Sequence, residues 1–221
     1  MDHSRQAELF RILEDKLYTA VVSDVLDSLG YRDQVMAAEL NPLLSGSVIA
    51  GRARTILAVD YYEHLTEPYG KEIELVDSLV PGDVVIGATN ESIRNGLWGE
   101  LMSTASHYRG ARGAIIDGYV RDLRKIRTLG FPIWCTGTKP VDSAGRGYSI
   151  ACDVTVRCGG VIVHPGDTVF ADEDGVVVIP QDLLEEVVRI AFEKISAEDA
   201  TREDLSAGVS LAEVFRKRGV L

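Results

Sequence analysis

No apolar run in this chain approaches the ~20 residues that a membrane-spanning helix requires. Positive charge is also scarce. Against 34 Asp and Glu stand 23 Lys and Arg, a formal net charge of −11, which argues against direct binding to a nucleic-acid phosphate backbone. The opening segment MDHSRQAELFRILEDKL is charged throughout and lacks the apolar stretch of a signal peptide, so a cytoplasmic location is expected. The three cysteines, Cys135, Cys152 and Cys158, form no CxxC pair and read as free thiols that pack as small hydrophobes. His3, His64, His107 and His164 show no ligand spacing and no Ser-His-Asp order. Lys139, in TGTKP, is the one lysine near a candidate strand end, and a solvated loop cation suits it better than a Schiff base. Repeats, low-complexity tracts and long polar linkers are missing too, which leaves one domain over residues 1–221.

Periodicity supplies the elements. Leu9, Leu13 and Leu17 lie on one helical face, Val21 to Leu29 forms a second apolar stripe, and Gly30 offers a stop, so helices are expected over about 5–30. Ser47–Val59 reads as a strand, residues up to Leu79 as a short helix, and VVIGA after Pro81-Gly82-Asp83 as another strand. Leu97, Leu101 and Ala105, four apart, predict a helix over Gly96–Tyr108. GAIID (Gly113–Asp117) predicts a strand, Leu123–Leu129 a short helix, and FPIWCTG a strand. From Asp153 the chain is strand-rich and punctuated by glycine turns, and an amphipathic helix then covers about 181–207. The fold expected is α/β, with layered sheets and helices outside them.

The densest chemistry lies in NGLWGELMSTASHYRGARGAIIDGYVRDLRKI, Asn95–Ile126. Arg121-Asp122 places a fixed cation beside a hard oxygen ligand just past a strand end. A carboxylate surrounded by water suits Mg²⁺, and a guanidinium can hold a substrate carboxylate or a developing enolate. A surface arginine next to a helix-capping aspartate satisfies the same dipeptide. Glu100, twenty residues before Arg121, sits with Gly99 at a helix start whose free amides could bind a carboxylate. A first-turn glutamate stabilising the helix dipole reads equally well there, and Asp117 reads as a turn residue.

The acidic residue, twenty intervening positions and Arg-Asp, set in GARGAIIDGYVRD, resemble the RraA-like family. That family holds metal-dependent 4-hydroxy-4-methyl-2-oxoglutarate aldolases, oxaloacetate decarboxylases and regulators of ribonuclease E. The likeness continues in SDVLDSLG, PGDVVIGA, GFPIWCTG and PGDTVFADEDGVVVIP. It implies an α-β-β-α sandwich similar to the swivelling β/β/α domain of phosphohistidine enzymes, assembled as a homotrimer or homohexamer. It also implies that Asp122 is the direct protein ligand to Mg²⁺ or Mn²⁺, that Arg121 contacts the substrate keto oxygen, and that Glu100 holds a metal-bound water. The amides from Gly99 through Glu100 and Leu101 to Met102 would cradle the carboxylate of a small 2-keto acid. Glu198 of a neighbouring subunit would reach the metal waters. The activity implied is aldol cleavage to pyruvate with oxaloacetate decarboxylation. The alternative is a non-catalytic protein that binds and inhibits ribonuclease E. Specificity is expected in loops such as Tyr61–Gly70.

Overall fold

Leu9, Leu13 and Leu17 are all buried, as their spacing requires, and they seat helix α1 (His3–Lys16) against the rest of the chain. The computed structural model describes residues 3–219; Met1, Asp2, Val220 and Leu221, the ends of the expected domain, lie outside them. Helix α2 (Thr19–Ser28) follows, then β1 (Asn41–Pro42), the twelve-residue strand β2 (Ile49–Asp60), α3 (Gly70–Ser78) and β3 (Asp83–Ala88). Next come β4 (Gly96–Trp98), α4 (Glu100–Tyr108), β5 (Gly113–Val120), α5 (Leu123–Leu129) and β6 (Ile133–Thr138). The remaining strands are β7 (Gly147–Cys152), β8 (Val156–Cys158), β9 (Val161–Val163), β10 (Thr168–Ala171) and β11 (Val176–Ile179). A short 3-10 turn leads into α6 (Leu184–Ser206), and α7 (Leu211–Arg218) closes the described chain.

Among the described residues one curled sheet carries the order β1-β6-β5-β3-β2-β10-β11. Strands β2, β3, β5 and β6 are mutually parallel, whereas β10 and β11 run antiparallel to their neighbours. Strand β2 is shared. Its first half pairs with β10 and its second half with β7. Val84, Ile86 and Ile115 point to an inner core closed by the β8–β9 hairpin, with Val156 and Val163. Val85, Ala114 and Ile116 point outward to α3, α4 and α5. Beyond β2, the outer face carries Phe170 and Ile179 under α1, α2 and α6. The layers are therefore α-β-β-α, and the two β layers belong to the same sheet. Covered faces on both sides explain why VVIGA and GAII read as unbroken apolar runs.

Two local readings change. The expected helix over Gly96–Tyr108 is interrupted at Gly99, where φ is −144° and the backbone is extended. Leu97 is buried in the short strand β4, while Leu101 is 78% exposed, so their spacing by four did not mark a common helical face. Strand β7, unforeseen between Val141 and Asp153, alternates in burial as it lines the second half of β2.

One buried charge cluster fixes the parallel sheet. Asp83 is fully buried at the start of β3. It accepts Arg52 Nη2 at 2.6 Å, Arg54 Nη1 at 3.1 Å and the Val80 amide at 2.9 Å. Removing it would strip Arg52 of its carboxylate and leave Arg54 with Asp153 alone, 2.7 Å from its Nη2. Asp83→Ala is expected to cost about 3 kcal/mol, the low end for a broken buried pair because both arginines keep some solvent contact. Urea unfolding at neutral pH measures this; a loss below about 1 kcal/mol would show that the cluster does not hold the sheet.

Candidate active site

Strand β4 pairs in parallel with β5, and Trp98 lies opposite Val120. The ladder runs one residue further, since the Arg121 amide donates to the Trp98 carbonyl at 2.9 Å. Gly99 and the start of α4 are thereby brought beside Arg121 and Asp122. A Cβ on Gly99 would sit 2.8 Å from Asp122 Oδ2 and 3.2 Å from Arg121 Nε, so the close approach needs glycine for space rather than for backbone freedom. The buried Trp98 Nε1 donates to Ser103 Oγ at 2.9 Å, and that hydroxyl donates to the Gly99 carbonyl at 2.9 Å. These bonds lock the first turn of α4.

Asp122 occupies the N-cap position of α5, yet its side chain makes no capping hydrogen bond there. Its φ of 64° is left-handed, a conformation that costs roughly 1 kcal/mol and that aspartate tolerates better than most residues. The carboxylate is turned instead toward α4, where Oδ2 accepts the Glu100 amide at 3.3 Å, and Arg121 Nε lies 3.8 Å away.

Arg121, Asp122, Gly99, Leu101 and Met102 line one side of a cleft of about 330 Å³. The opposite side comes from α3 and from the loop after β6. There Asp142 Oδ1 lies 3.4 Å from Arg121 Nη2, and Asp142 Oδ2 accepts the Tyr69 hydroxyl at 2.5 Å. Burial would raise the Asp142 carboxyl, but the Tyr69 hydroxyl, Arg121 and the Ser143 and Ala144 amides outweigh it and hold it below the usual carboxylate range. The same hydrogen bond, with burial, pushes Tyr69 up to about 12. Asp142 is thus an anion that orients Arg121, and Tyr69 stays neutral. The rest of the lining is the apolar group Ile73, Val76, Leu97 and Ala105, with Glu72, Asp77 and Ser143 among them.

The structure thus brings together Arg121, Asp122 and the backbone of Gly99–Met102. Glu100 joins through its amide; its carboxylate accepts Thr104 Oγ1 at 3.1 Å and lies 3.8 Å from Lys125 Nζ, beside α5 rather than in the cleft. Within its own chain Glu198 is bound by the Tyr18 hydroxyl and lies 3.6 Å from Arg202. Asp117 is more than a turn residue. It is buried, its Oδ2 accepts the Gly159 amide at 3.0 Å, and burial raises its carboxyl. Lys139 Nζ is engaged by the Ile93 carbonyl at 2.6 Å. Cys135 and Cys158 are buried and burial raises both thiols, whereas Cys152 is only partly covered. Among the described residues no three His, Cys, Asp or Glu side chains converge as a metal cage. Among the same described residues no helix is long and apolar enough to cross a membrane. Asp142, Glu72 and Ser143 were not anticipated from sequence; the signal available was that Asp142 follows the end of β6, as Arg121 follows β5. Tyr69 lies in the loop where specificity was expected.

Known proteins share this chain's pattern over most of its length. A 4-hydroxy-4-methyl-2-oxoglutarate aldolase, provisionally so named, from Halalkalibacterium halodurans is 28% identical over 217 residues, covering 96% of this chain and 97% of that protein. Protein DlpA of Legionella pneumophila is 29% identical over 193 residues, 87% of this chain, but the match spans only 31% of that longer protein. The crystal structure of Streptomyces coelicolor RraAS2, described as an unusual member of the RNase ES inhibitor RraA protein family, superposes with a TM-score of 0.80. It is 33% identical and covers 88% of this chain and 96% of that one. The family described as RraA-like, Aldolase/RraA, matches residues 19–178. With the family match spanning most of the chain and the structural likeness in agreement, the chain belongs to the RraA-like family.

Proposed function

We infer that this chain is a divalent-metal-dependent lyase that cleaves a 4-hydroxy-2-keto acid of the 4-hydroxy-4-methyl-2-oxoglutarate type to pyruvate, and that decarboxylates oxaloacetate at the same site. The observation that carries the reading is the juxtaposition of Arg121, Asp122 and the first amides of α4 along one cleft. The donor set fits a hard cation. Asp122 offers a half-exposed carboxylate that its own helix does not consume, while the Glu100 carboxylate, held by Thr104 and near Lys125, would have to turn toward the cleft to meet a metal-bound water. Asp122 would hold Mg²⁺ or Mn²⁺ directly, with Glu100 acting through water. When bound, such a cation supplies Lewis-acid polarisation of the keto oxygen.

The chain's own groups do the rest. The amides at the start of α4 beyond Glu100, whose own amide serves Asp122, hold the substrate carboxylate, helped by the helix dipole. Arg121, oriented by Asp142 and Tyr69, donates to the keto oxygen and takes up the charge that develops as the C3–C4 bond breaks. The apolar wall of Ile73, Val76 and Leu97 keeps water from the enolate. The likeness to RraAS2 supports a second reading, a binding protein that restrains an RNA-degrading enzyme. The acidic balance of the chain suits a basic partner surface.

Three outcomes test these readings. Pyruvate release from oxaloacetate and from 4-hydroxy-4-methyl-2-oxoglutarate should stop in EDTA and return with Mg²⁺ or Mn²⁺. Full activity in EDTA would sink the metal-dependent mechanism, and no activity with metal would favour the binding protein.

The Arg-Asp pair should separate by variant. Asn tolerates the left-handed backbone at position 122, so Asp122→Asn removes charge without adding strain; metal titration should show at least tenfold weaker binding. Arg121→Lys should bind metal normally yet lose about 2–4 kcal/mol in kcat/KM, because the planar fork is gone. Near-normal kinetics for the lysine variant would remove Arg121 from the chemistry.

Assembly is the third. Because Glu198 is far along α6, its proposed role needs a neighbouring subunit, and light scattering should give a trimer or hexamer. A monomer that stays fully active would exclude that role.

A further inference from the structure

Glu72 is a buried acidic residue of the cleft that neither the Arg-Asp pair nor the helix start explains. It lies on α3 and is 97% buried, with 3% of its surface exposed, yet it lines the cleft with Tyr69, Val76 and Asp142. Its Oε1 accepts the Ser149 hydroxyl at 2.8 Å from β7. Its Oε2 is buried and has no hydrogen-bond partner. A buried carboxylate oxygen left unpaired is destabilising, so its presence at a cleft wall marks a partner that arrives with the ligand.

Resting on the lyase reading above, we propose that Glu72 is the base that takes the proton of the substrate's C4 hydroxyl and returns it to C3. Its Oε2 is free, Oε1 is anchored by Ser149 so that the carboxyl plane is fixed, and the surrounding wall is apolar. Burial, with Asp142 nearby adding repulsion, raises the Glu72 carboxyl above its ordinary value, the direction that strengthens it as a base. The balance closes without another reagent. Oε2 accepts the C4 hydroxyl proton, and the O–H electron pair becomes the second bond of the C4 carbonyl. The C3–C4 pair passes to the pyruvate fragment as its enolate. After the carbonyl product leaves, Glu72 gives the proton to C3, which completes pyruvate and restores the carboxylate.

Oxaloacetate separates this role from a structural one, because it reaches the same enolate by losing CO₂ and has no hydroxyl proton to remove. The test is Glu72→Gln, which keeps the shape and the Ser149 bond, assayed with Mg²⁺ on 4-hydroxy-4-methyl-2-oxoglutarate and on oxaloacetate. The ratio of aldol cleavage to decarboxylation should fall at least 100-fold, the lower bound for losing a general base. Glu72→Asp should recover part of that ratio, since it restores a carboxylate on a shorter arm. An unchanged ratio overturns the assignment, whether both activities persist or both fall together. Wild-type protein inactive on both substrates overturns it along with the lyase reading, whereas a wild type active on both and a glutamine variant with an unchanged ratio overturns Glu72 alone.

Discussion

Everything at the candidate site depends on the parallel pairing of β4 with β5. Three residues of strand set the position of Gly99 against Arg121 and Asp122, and the bond from the Arg121 amide to the Trp98 carbonyl extends that register to this pair. Without it, the start of α4 and the end of β5 would be unrelated loops. The indole of Trp98 then holds Ser103, and Ser103 holds the Gly99 carbonyl, so the turn that faces the cleft is tied to the core by side chain as well as by backbone. Such a site is rigid because it sits on strand ends rather than on a long free loop.

The ion pairs around Arg121 have a different job from the pairs around Asp83. Arg121, Asp122 and Asp142 each keep roughly a third or more of their side-chain surface exposed. Pairs of that kind contribute about 1 kcal/mol or less to stability. Their value lies in orientation: Asp142, itself held by Tyr69, keeps the Arg121 guanidinium at the cleft wall before any ligand arrives, which lowers the ordering cost of binding. Asp83 is enclosed, and its loss would be felt by the fold itself.

What the sequence disclosed follows from how local each signal is. Strands β3 and β5 are covered on both faces, so their apolar runs announce them, and α1 is carried by leucines four apart. Strand β4 is too short for a period of its own, and Leu97 happened to fall in helical step with Leu101. Arg121-Asp122 was legible because the two residues are adjacent and follow a strand. Glu72, Tyr69 and Asp142 were not singled out, since they are scattered along the chain and meet only when α3 and the loop after β6 pack over the strand ends. Burial of Glu72 is a property of the packed state, and nothing in GKEIELVDS sets its two glutamates apart.

Sharing β2 between the two halves of the sheet has a consequence for the order of assembly. The pairs β2–β3, β3–β5, β4–β5 and β5–β6 join segments that follow one another closely, whereas Ile49 meets Ala171 across more than half the chain. Loop-closure entropy penalises the distant pairing most, so the parallel half and its cleft can gather from near contacts while closure of the curl waits. Phe170 and Ile179 complete the platform beneath α1, α2 and α6 only once β10 and β11 have docked. Before that docking the outer edge of β2 is open, and the chain is most exposed to pairing with the wrong strand.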